Sequence, residues 1–354
     1  MRPALPPAIA DAIDRRDRAS LVFDLAAIAA TMKRVAGAAR AVGIRPLFAA
    51  KSFPHPAVLA LAAELLDGFD VASPGELAAA RGRGIVSVAD PTGATIAAAA
   101  AWPGRLIVGC ETIEQVRAAP SHAELAIRIS ASITQRDPAV GAVLEGSGRR
   151  RSRFGLDDRD AIAAVAHTAA ARTVGVHVHH GPIVATSAER FIATARAVLD
   201  AIDFQPAFLD LGGAWHGVTD LAAAFAEIRA AIPAAIELIV EPGRLYCDGA
   251  GFACGRVMAA RAVSDRELRV VDLSRTCHLR WSAIDLVARA PRPGEGRALL
   301  IVGPTCYEED VLGEWTVEPA HVATRIVVRD VTGYAVAWNT GFAGIAPADV
   351  VMVE

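Results

Sequence analysis

A (β/α)8 barrel followed by an all-β domain is the fold class this sequence predicts. Three observations carry the expectation. Between residues 20 and 245, short β-branched apolar runs alternate with alanine-rich helical stretches. The runs number eight, the strand count of a closed barrel. After Gly243 the alternation stops, and residues 250–354 become richer in Val, Thr, Gly and Trp.

A helix is expected around 24–41, where alanine dominates. Barrel strands are then expected at Arg45–Lys51, Phe69–Ser73, Ile85–Ala89, Leu106–Cys110, Leu125–Ser130, Gly175–His180, Ala207–Leu211 and Ile236–Glu241. Each is a short, nearly continuous apolar run, the pattern of a strand buried on both faces. Helices are expected between them around 56–67, 74–82, 91–101, 112–119, 157–171, 186–201 and 219–231. A doubly wound sheet is the alternative, but no glycine fingerprint follows the first strand. In the second domain, strand-like runs fall at 252–262, 268–273, 298–303, 322–328 and 333–338, completed by an N-terminal strand near Ser20–Phe23. The expected division is therefore a barrel over 24–245, and a β-domain of 1–23 with 246–354.

With 354 residues, 53% hydrophobic and 21% charged, the chain can bury one large core and a smaller one. A net charge of −3 gives no field for nucleic acid or a membrane surface. No stretch of about 18 apolar residues occurs, and the first residues lack an apolar leader core. The cysteines (Cys110, Cys247, Cys254, Cys277, Cys306) are odd in number and lack C-x-x-C spacing, so they read as reduced thiols in a cytoplasmic protein.

Chemistry gathers at strand ends. Lys51 closes the run Pro46 to Ala50 and precedes a proline-broken turn. Desolvation there favours the neutral amine that adds to a carbonyl cofactor, although most strand-end lysines are solvated caps. The second strand holds Asp70 and runs into Glu76; the fifth contains Arg128. The sixth reads Val176-His177-Val178-His179-His180-Gly181, and the seventh ends in Gly212-Gly213. The eighth ends Glu241-Pro242-Gly243-Arg244. Singly, each has a structural reading: glycines make turns, and a buried histidine is more often core than catalyst.

In this order and at one end of the barrel, these motifs strongly resemble the fold-type III, alanine racemase-like enzymes that use pyridoxal 5'-phosphate (PLP). The resemblance is greatest to the ornithine/diaminopimelate decarboxylase branch. It runs on through Gly303-Pro304-Thr305-Cys306 with Asp310, and through Gly333-Tyr334, and so covers nearly the whole chain.

The resemblance implies a role for each matching residue. Lys51 would hold the cofactor covalently, and His179 would stack on its ring. Gly212, Gly213, Gly243 and Arg244 would cradle the phosphate, because glycine lets backbone N–H groups approach an anion; Tyr334 would add a hydroxyl. Glu241 would face the pyridine nitrogen and keep it protonated, which favours decarboxylation over racemisation. Arg128 matches a nearby family arginine, while Asp70 and Glu76 match acids around the ring. Cys306 would protonate Cα from the second subunit of a homodimer; without its flanking motif it would read as an ordinary buried thiol.

Three positions depart from the family pattern. Pro182 stands in place of a serine, Ala214 replaces the third glycine of the turn, and Tyr307 replaces the acid that binds a distal ammonium. A phenol cannot neutralise an ammonium, although Glu308 or Glu309 could substitute. Arg280, in Asp272 to Ser282, matches an arginine that grips a distal carboxylate in diaminopimelate-type enzymes. The arginines at 149–151 and Arg153 read first as a solvated charge run. Together these changes point to a carboxylate-rich substrate, of the diaminopimelate or citryl-diaminopropionate type, the latter from siderophore biosynthesis. The rival expectations are a racemase or epimerase on the same fold, and a non-catalytic decarboxylase-like regulator. A metal-dependent lyase is disfavoured because no carboxylate is spaced to complete a site around His177, His179 and His180.

Overall fold

The computed structural model describes residues 4–131, 153–179, 187–263, 266–288, 294 and 296–354. Its contacts divide the chain into two units, residues 31–51 with 58–246, and residues 1–30 with 52–57 and 247–354.

In the second of these units, strand β1 (Ser20–Asp24) leads the chain. The other unit is a closed parallel barrel of β2 (Ile44–Ala49), β3 (Gly68–Val71), β4 (Ile85–Val88), β5 (Leu106–Cys110), β6 (Glu124–Ser130), β7 (Val174–His179), β8 (Phe208–Asp210) and β9 (Glu237–Val240). β2 and β9 close it through the pairs Ile44 with Leu238 and Pro46 with Val240. Leu47, Ile85, Ile107, Ala126, Phe208 and Ile239 form a buried layer inside, so the interior is packed rather than open.

At the N-terminal ends of the strands, Arg105 makes two bonds to Glu124, at 2.9 and 2.8 Å, and a third to Glu237 at 2.6 Å. Arg45 reaches the same Glu237 at 3.2 Å. This network ties β2, β5, β6 and β9 together at the end away from Lys51. Burial opposes the charge on Arg105, but the bonds from Glu124 and Glu237 outweigh it and raise its pKa.

The β unit continues with β10 (Gly251–Val263), β11 (Arg266–Val271), β12 (Asp285–Leu286), β13 (Arg297–Val302), β14 (Val311–Val317), β15 (Arg325–Arg329) and β16 (Asp349–Val353). The sheet path is β12-β15-β10-β11-β13-β14, and β1 lies antiparallel to β10 and parallel to β16. Ile9 and Ile13, on a helix at Pro7–Asp14, bury against Val22, Phe252 and Cys254.

Two expectations are corrected here. The run at 333–338 is not a strand: Tyr334–Ala337 is one turn of helix, in which Trp338 N donates to Tyr334 O at 2.9 Å. Its apolar spacing fits period two by chance, but a Cβ on Gly333 would come within 2.5 Å of Phe53 and Ser52, a packing that turns the chain. Strands β12, β14 and β16 were not expected. β14 alternates buried and exposed residues around Gly313 and Glu314, so no continuous apolar run marks it.

Candidate active site

At the C-terminal mouth of the barrel, Ala49 pairs in register with Asp70 on β3. The chain then makes a single turn, Ala50–Ser52, which carries Lys51. The Lys51 amine forms an ion pair with Asp70, whose side chain is fully buried. The Lys51 side chain is 39% exposed. The amine expected at the barrel rim is held there by a buried carboxylate, with part of its side chain in solvent. Glu76 is used locally: its side chain accepts from Ala72 N at 2.9 Å, and its own N–H bonds to the helix-capping Ser73 at 3.2 Å.

His179 ends β7 beside the glycine turn that follows β8. A Cβ on Gly212 would lie 2.9 Å from Val178 O and 3.0 Å from the His179 ring; one on Gly213 would lie 3.2 Å from His179 Nε2. Only glycine lets this turn pass so near the imidazole, and Gly212 also takes φ +62°. Burial, then the charges of Lys51 and Arg128, lower the His179 pKa to about 3, so the ring is neutral. Ala214 adopts φ +73°, keeping a glycine-like turn without a glycine. The next residue, Trp215, anchors the turn: its indole donates to Gly212 O at 2.7 Å and stacks on Phe191 at 3.8 Å. Gly243 and Arg244 follow β9, with Arg244 opening a short helical turn.

Register brings together what sequence spacing hides. Arg128, His177, Asp210 and Ile239 are successive in-register partners on β6, β7, β8 and β9, and Glu241 lies two residues beyond Ile239. His177, Asp210 and Glu241 therefore converge, one side-chain nitrogen or oxygen from each lying within 4.8 Å of the others. All three are buried. Burial and then the adjoining Asp210 and Asp70 push Glu241 well above the usual carboxylate range, while burial raises Asp210 to about 6. Burial, with the charges of Arg128, His179 and Lys51, holds His177 well below the ordinary imidazole value. The expectation that no carboxylate joins the histidines is corrected, since only strand pairing reveals Asp210 and Glu241 as neighbours of His177.

Arg128 lies 3.5 Å from Glu111 and 4.6 Å from the centre of the Phe154 ring, on which Arg153 also stacks at 3.9 Å. The arginines at 149–151, with His180, Gly181 and Pro182, lie outside the described residues.

In the β unit, Asp310 organises the loop bearing Cys306. Its carboxylate accepts from Ser274 Oγ at 2.9 Å, Arg275 N at 2.7 Å, Thr276 N at 3.2 Å and Thr305 Oγ1 at 2.7 Å. One buried side chain thereby ties the Cys306–Tyr307 loop to the segment leading to Arg280, a role the sequence motif did not disclose. Cys306, Tyr307, Glu308 and Glu309 are exposed, whereas the other cysteines are buried. Arg280 is exposed, with its guanidinium 4.7 Å from the centre of the Trp338 ring. Trp281, at φ +63°, packs between Trp338 at 5.3 Å and Tyr334 at 5.1 Å.

Residues 25–248 match the family described as pyridoxal-dependent decarboxylases, pyridoxal binding domain. The chain belongs to this family. Across 88% of its length it is 26% identical to an ornithine decarboxylase of Schizosaccharomyces pombe, covering 78% of that protein. Across 87% it is 24% identical to a diaminopimelate decarboxylase of Neisseria meningitidis, covering 82%. The fold of a diaminopimelate decarboxylase from M. jannaschii, in complex with L-lysine, superposes with a TM-score of 0.80 at 21% identity, over 98% of this chain and 89% of the other. This decarboxylase is a carboxy-lyase with PLP as its cofactor.

The residues present fit that group. Gly212 and Gly213 leave a surface with no side chain beside a neutral imidazole, and the buried Glu241 Oε1 and Asp210 Oδ2 have no hydrogen-bond partner. A pyridine nitrogen and a phosphate are the kinds of group such a site would satisfy.

Proposed function

We propose that this enzyme decarboxylates an amino acid, or an amino-acid conjugate, bearing a second carboxylate distant from the reacting centre, of the diaminopimelate or citryl-diaminopropionate type. The observation that carries this reading is Arg280. Its guanidinium is exposed and lies over Trp338, and among the described residues no carboxylate pairs with it. A planar cation held this way presents a two-pronged donor to a carboxylate. Tyr307 stands beside Cys306 on the exposed loop and offers a phenol where a distal ammonium would require an acid, with Glu308 next to it.

In this reading Lys51 holds the cofactor covalently, and Asp70 orients the amine. His179 supports the ring face; Gly212, Gly213, Gly243, Arg244 and Tyr334 bind the phosphate; Glu241 lies at the pyridine nitrogen; Arg128 helps fix the ring's surroundings. When bound, PLP supplies the electron sink for the pair left at Cα as carbon dioxide departs. Cys306 then gives its proton to Cα. Its exposure on a loop suits a thiol that serves the second subunit of a homodimer. The free thiols elsewhere in the chain suit a reducing, cytoplasmic setting. Within the described residues no helix is long and apolar enough to cross a membrane.

The experiment is a decarboxylation screen by mass spectrometry with diaminopimelate, citryl-diaminopropionate, ornithine, lysine and arginine. Carboxylate-bearing substrates should be preferred. Arg280→Lys should lower kcat/KM for the preferred one by about 2–4 kcal/mol of transition-state stabilisation, with PLP content unchanged. A preference for ornithine or lysine that survives Arg280→Lys would exclude the carboxylate reading. Glu308 would then be the better candidate for the distal contact.

A further inference from the structure

Inside the barrel, three buried groups have polar atoms without a hydrogen-bond partner: His177 Nε2, Asp210 Oδ2 and Glu241 Oε1. They face one another, with His177 Nε2 3.6 Å from Glu241 Oε2. The three residues are 2%, 1% and 3% exposed, so bulk solvent screens their charges little. Two carboxyl groups that meet at this depth do not both ionise unless a cation intervenes. The other charged or titratable groups facing the cluster are Asp70, Lys51, Arg128 and His179. Lys51 is paired with Asp70, and Arg128 lies against Glu111 and Phe154. A proton shared between Asp210 and Glu241 relieves the repulsion within the pair, and it turns two unmatched acceptors into a donor and an acceptor.

We propose that Asp210 and His177 are positioning residues for Glu241, and that Asp210 and Glu241 hold in common one proton which the pyridine nitrogen receives when the cofactor docks. This rests on the placement of Glu241 at that nitrogen. The balance closes within the site. The carboxyl O–H bond breaks, the N–H bond forms, and Asp210 and Glu241, now both ionised, face the new positive charge on the ring. His177, neutral, then donates Nε2–H to the ionised Glu241, while Asp210 Oδ1 continues to accept from Gly212 N at 2.9 Å. The glycine turn and the nitrogen contact are thereby one unit.

The test uses the full-length protein after its cofactor has been dialysed out, and 4-deoxypyridoxine 5'-phosphate as probe. This analogue keeps the ring nitrogen and the phosphate but has no aldehyde, so Lys51 chemistry does not enter. Calorimetry in buffers of differing ionisation enthalpy counts the protons exchanged, and ultraviolet absorbance reports the nitrogen's protonation. At a pH where the free analogue's nitrogen is unprotonated, wild type should bind it protonated, draw about zero protons from the buffer, and show a Kd that is flat with pH.

Asp210→Asn keeps the acceptor for Gly212 but removes the neighbouring carboxylate that holds a proton on the pair, so at that pH Glu241 stands ionised and has none to yield. It should draw about one proton per analogue bound, and its Kd should weaken about tenfold per pH unit. His177→Asn should weaken binding about tenfold at an unchanged proton count; an unaltered Kd removes His177 from the unit. If Asp210→Asn does not fold, infrared difference spectra of wild type decide the matter, since a protonated-carboxyl band must disappear on binding. Equal proton counts in wild type and Asp210→Asn, or no loss of that band, overturn the proposal alone. Failure of the analogue to bind wild type overturns it together with the placement of Glu241.

Discussion

At the scale of single residues, Lys51 and Ala214 invite direct tests. Lys51 is the amine held by Asp70 at the barrel mouth, and borohydride reduction of the holoenzyme should fix a cofactor mass on it alone. Lys51→Ala should carry no label; a label on another lysine would reassign the covalent role. Ala214 sits in the left-handed region, which costs a residue with a Cβ about 1–2 kcal/mol. Ala214→Gly relieves that cost and returns part of it through the greater freedom of the unfolded chain, roughly 0.4–1 kcal/mol. A net stabilisation of about 0.5–1 kcal/mol is expected in thermal or denaturant unfolding. A destabilised variant would mean that the methyl group packs usefully against the turn.

Two carboxylates act at the scale of elements. Asp90 braces the loop that starts the helix at Ala94–Ala99: Oδ2 accepts from Thr95 N at 2.7 Å and Thr95 Oγ1 at 2.6 Å, and Oδ1 from Thr92 N at 2.8 Å and Thr92 Oγ1 at 2.7 Å. Burial by itself would raise its pKa, but the bonds from Thr95 and Thr92 win and lower it from 3.8 to about 2. A depressed carboxylate stabilises the fold above its unfolded pKa and loses that contribution as pH falls through the folded one. Asp90→Asn should therefore cost about 2 kcal/mol near neutrality, and the difference from wild type should vanish between about pH 4 and pH 2. A pH-independent difference would place the effect in packing. Asp310 is the corresponding hub of the Cys306 loop. Asp310→Ala should lower kcat far more than PLP content, because the groups it holds lie in the β unit while Lys51 and the glycine turn lie in the barrel. Equal loss of both would show that the two units depend on each other through it.

At the scale of the whole molecule, assembly and acid response are the tests. If Cys306 serves the partner's site, Lys51→Ala and Cys306→Ala proteins should complement on mixing, up to roughly a quarter of wild-type activity, since re-pairing rebuilds one intact site in each heterodimer. No recovery despite subunit exchange would confine Cys306 to its own chain. Burial, with the charges of nearby basic groups, keeps His177 and His179 neutral, so the stability they contribute is present above their ordinary value of 6.5 and is lost as pH falls below it. Glu241 works oppositely in the cofactor-free protein, since a raised carboxylate loses stability as pH climbs above 4.5. Glu241→Gln should flatten the alkaline side of the apoprotein's Tm profile and leave the acid side in place. The alternation of apolar runs and helices determined the barrel by itself, because burial on both faces imposes a composition on every strand. The strand-end motifs likewise placed Lys51, His179, Gly212 and Glu241 at one mouth, because parallel strands all end on the same side. Tertiary structure decided what depends on register and packing: the meeting of His177, Asp210 and Glu241 across three strands, and the anchoring of two distant loops on Asp310. It also decided the helical turn at Tyr334, which local apolar spacing read as a strand. Contacts between residues far apart in sequence leave no periodic trace, so only the folded chain could reveal them.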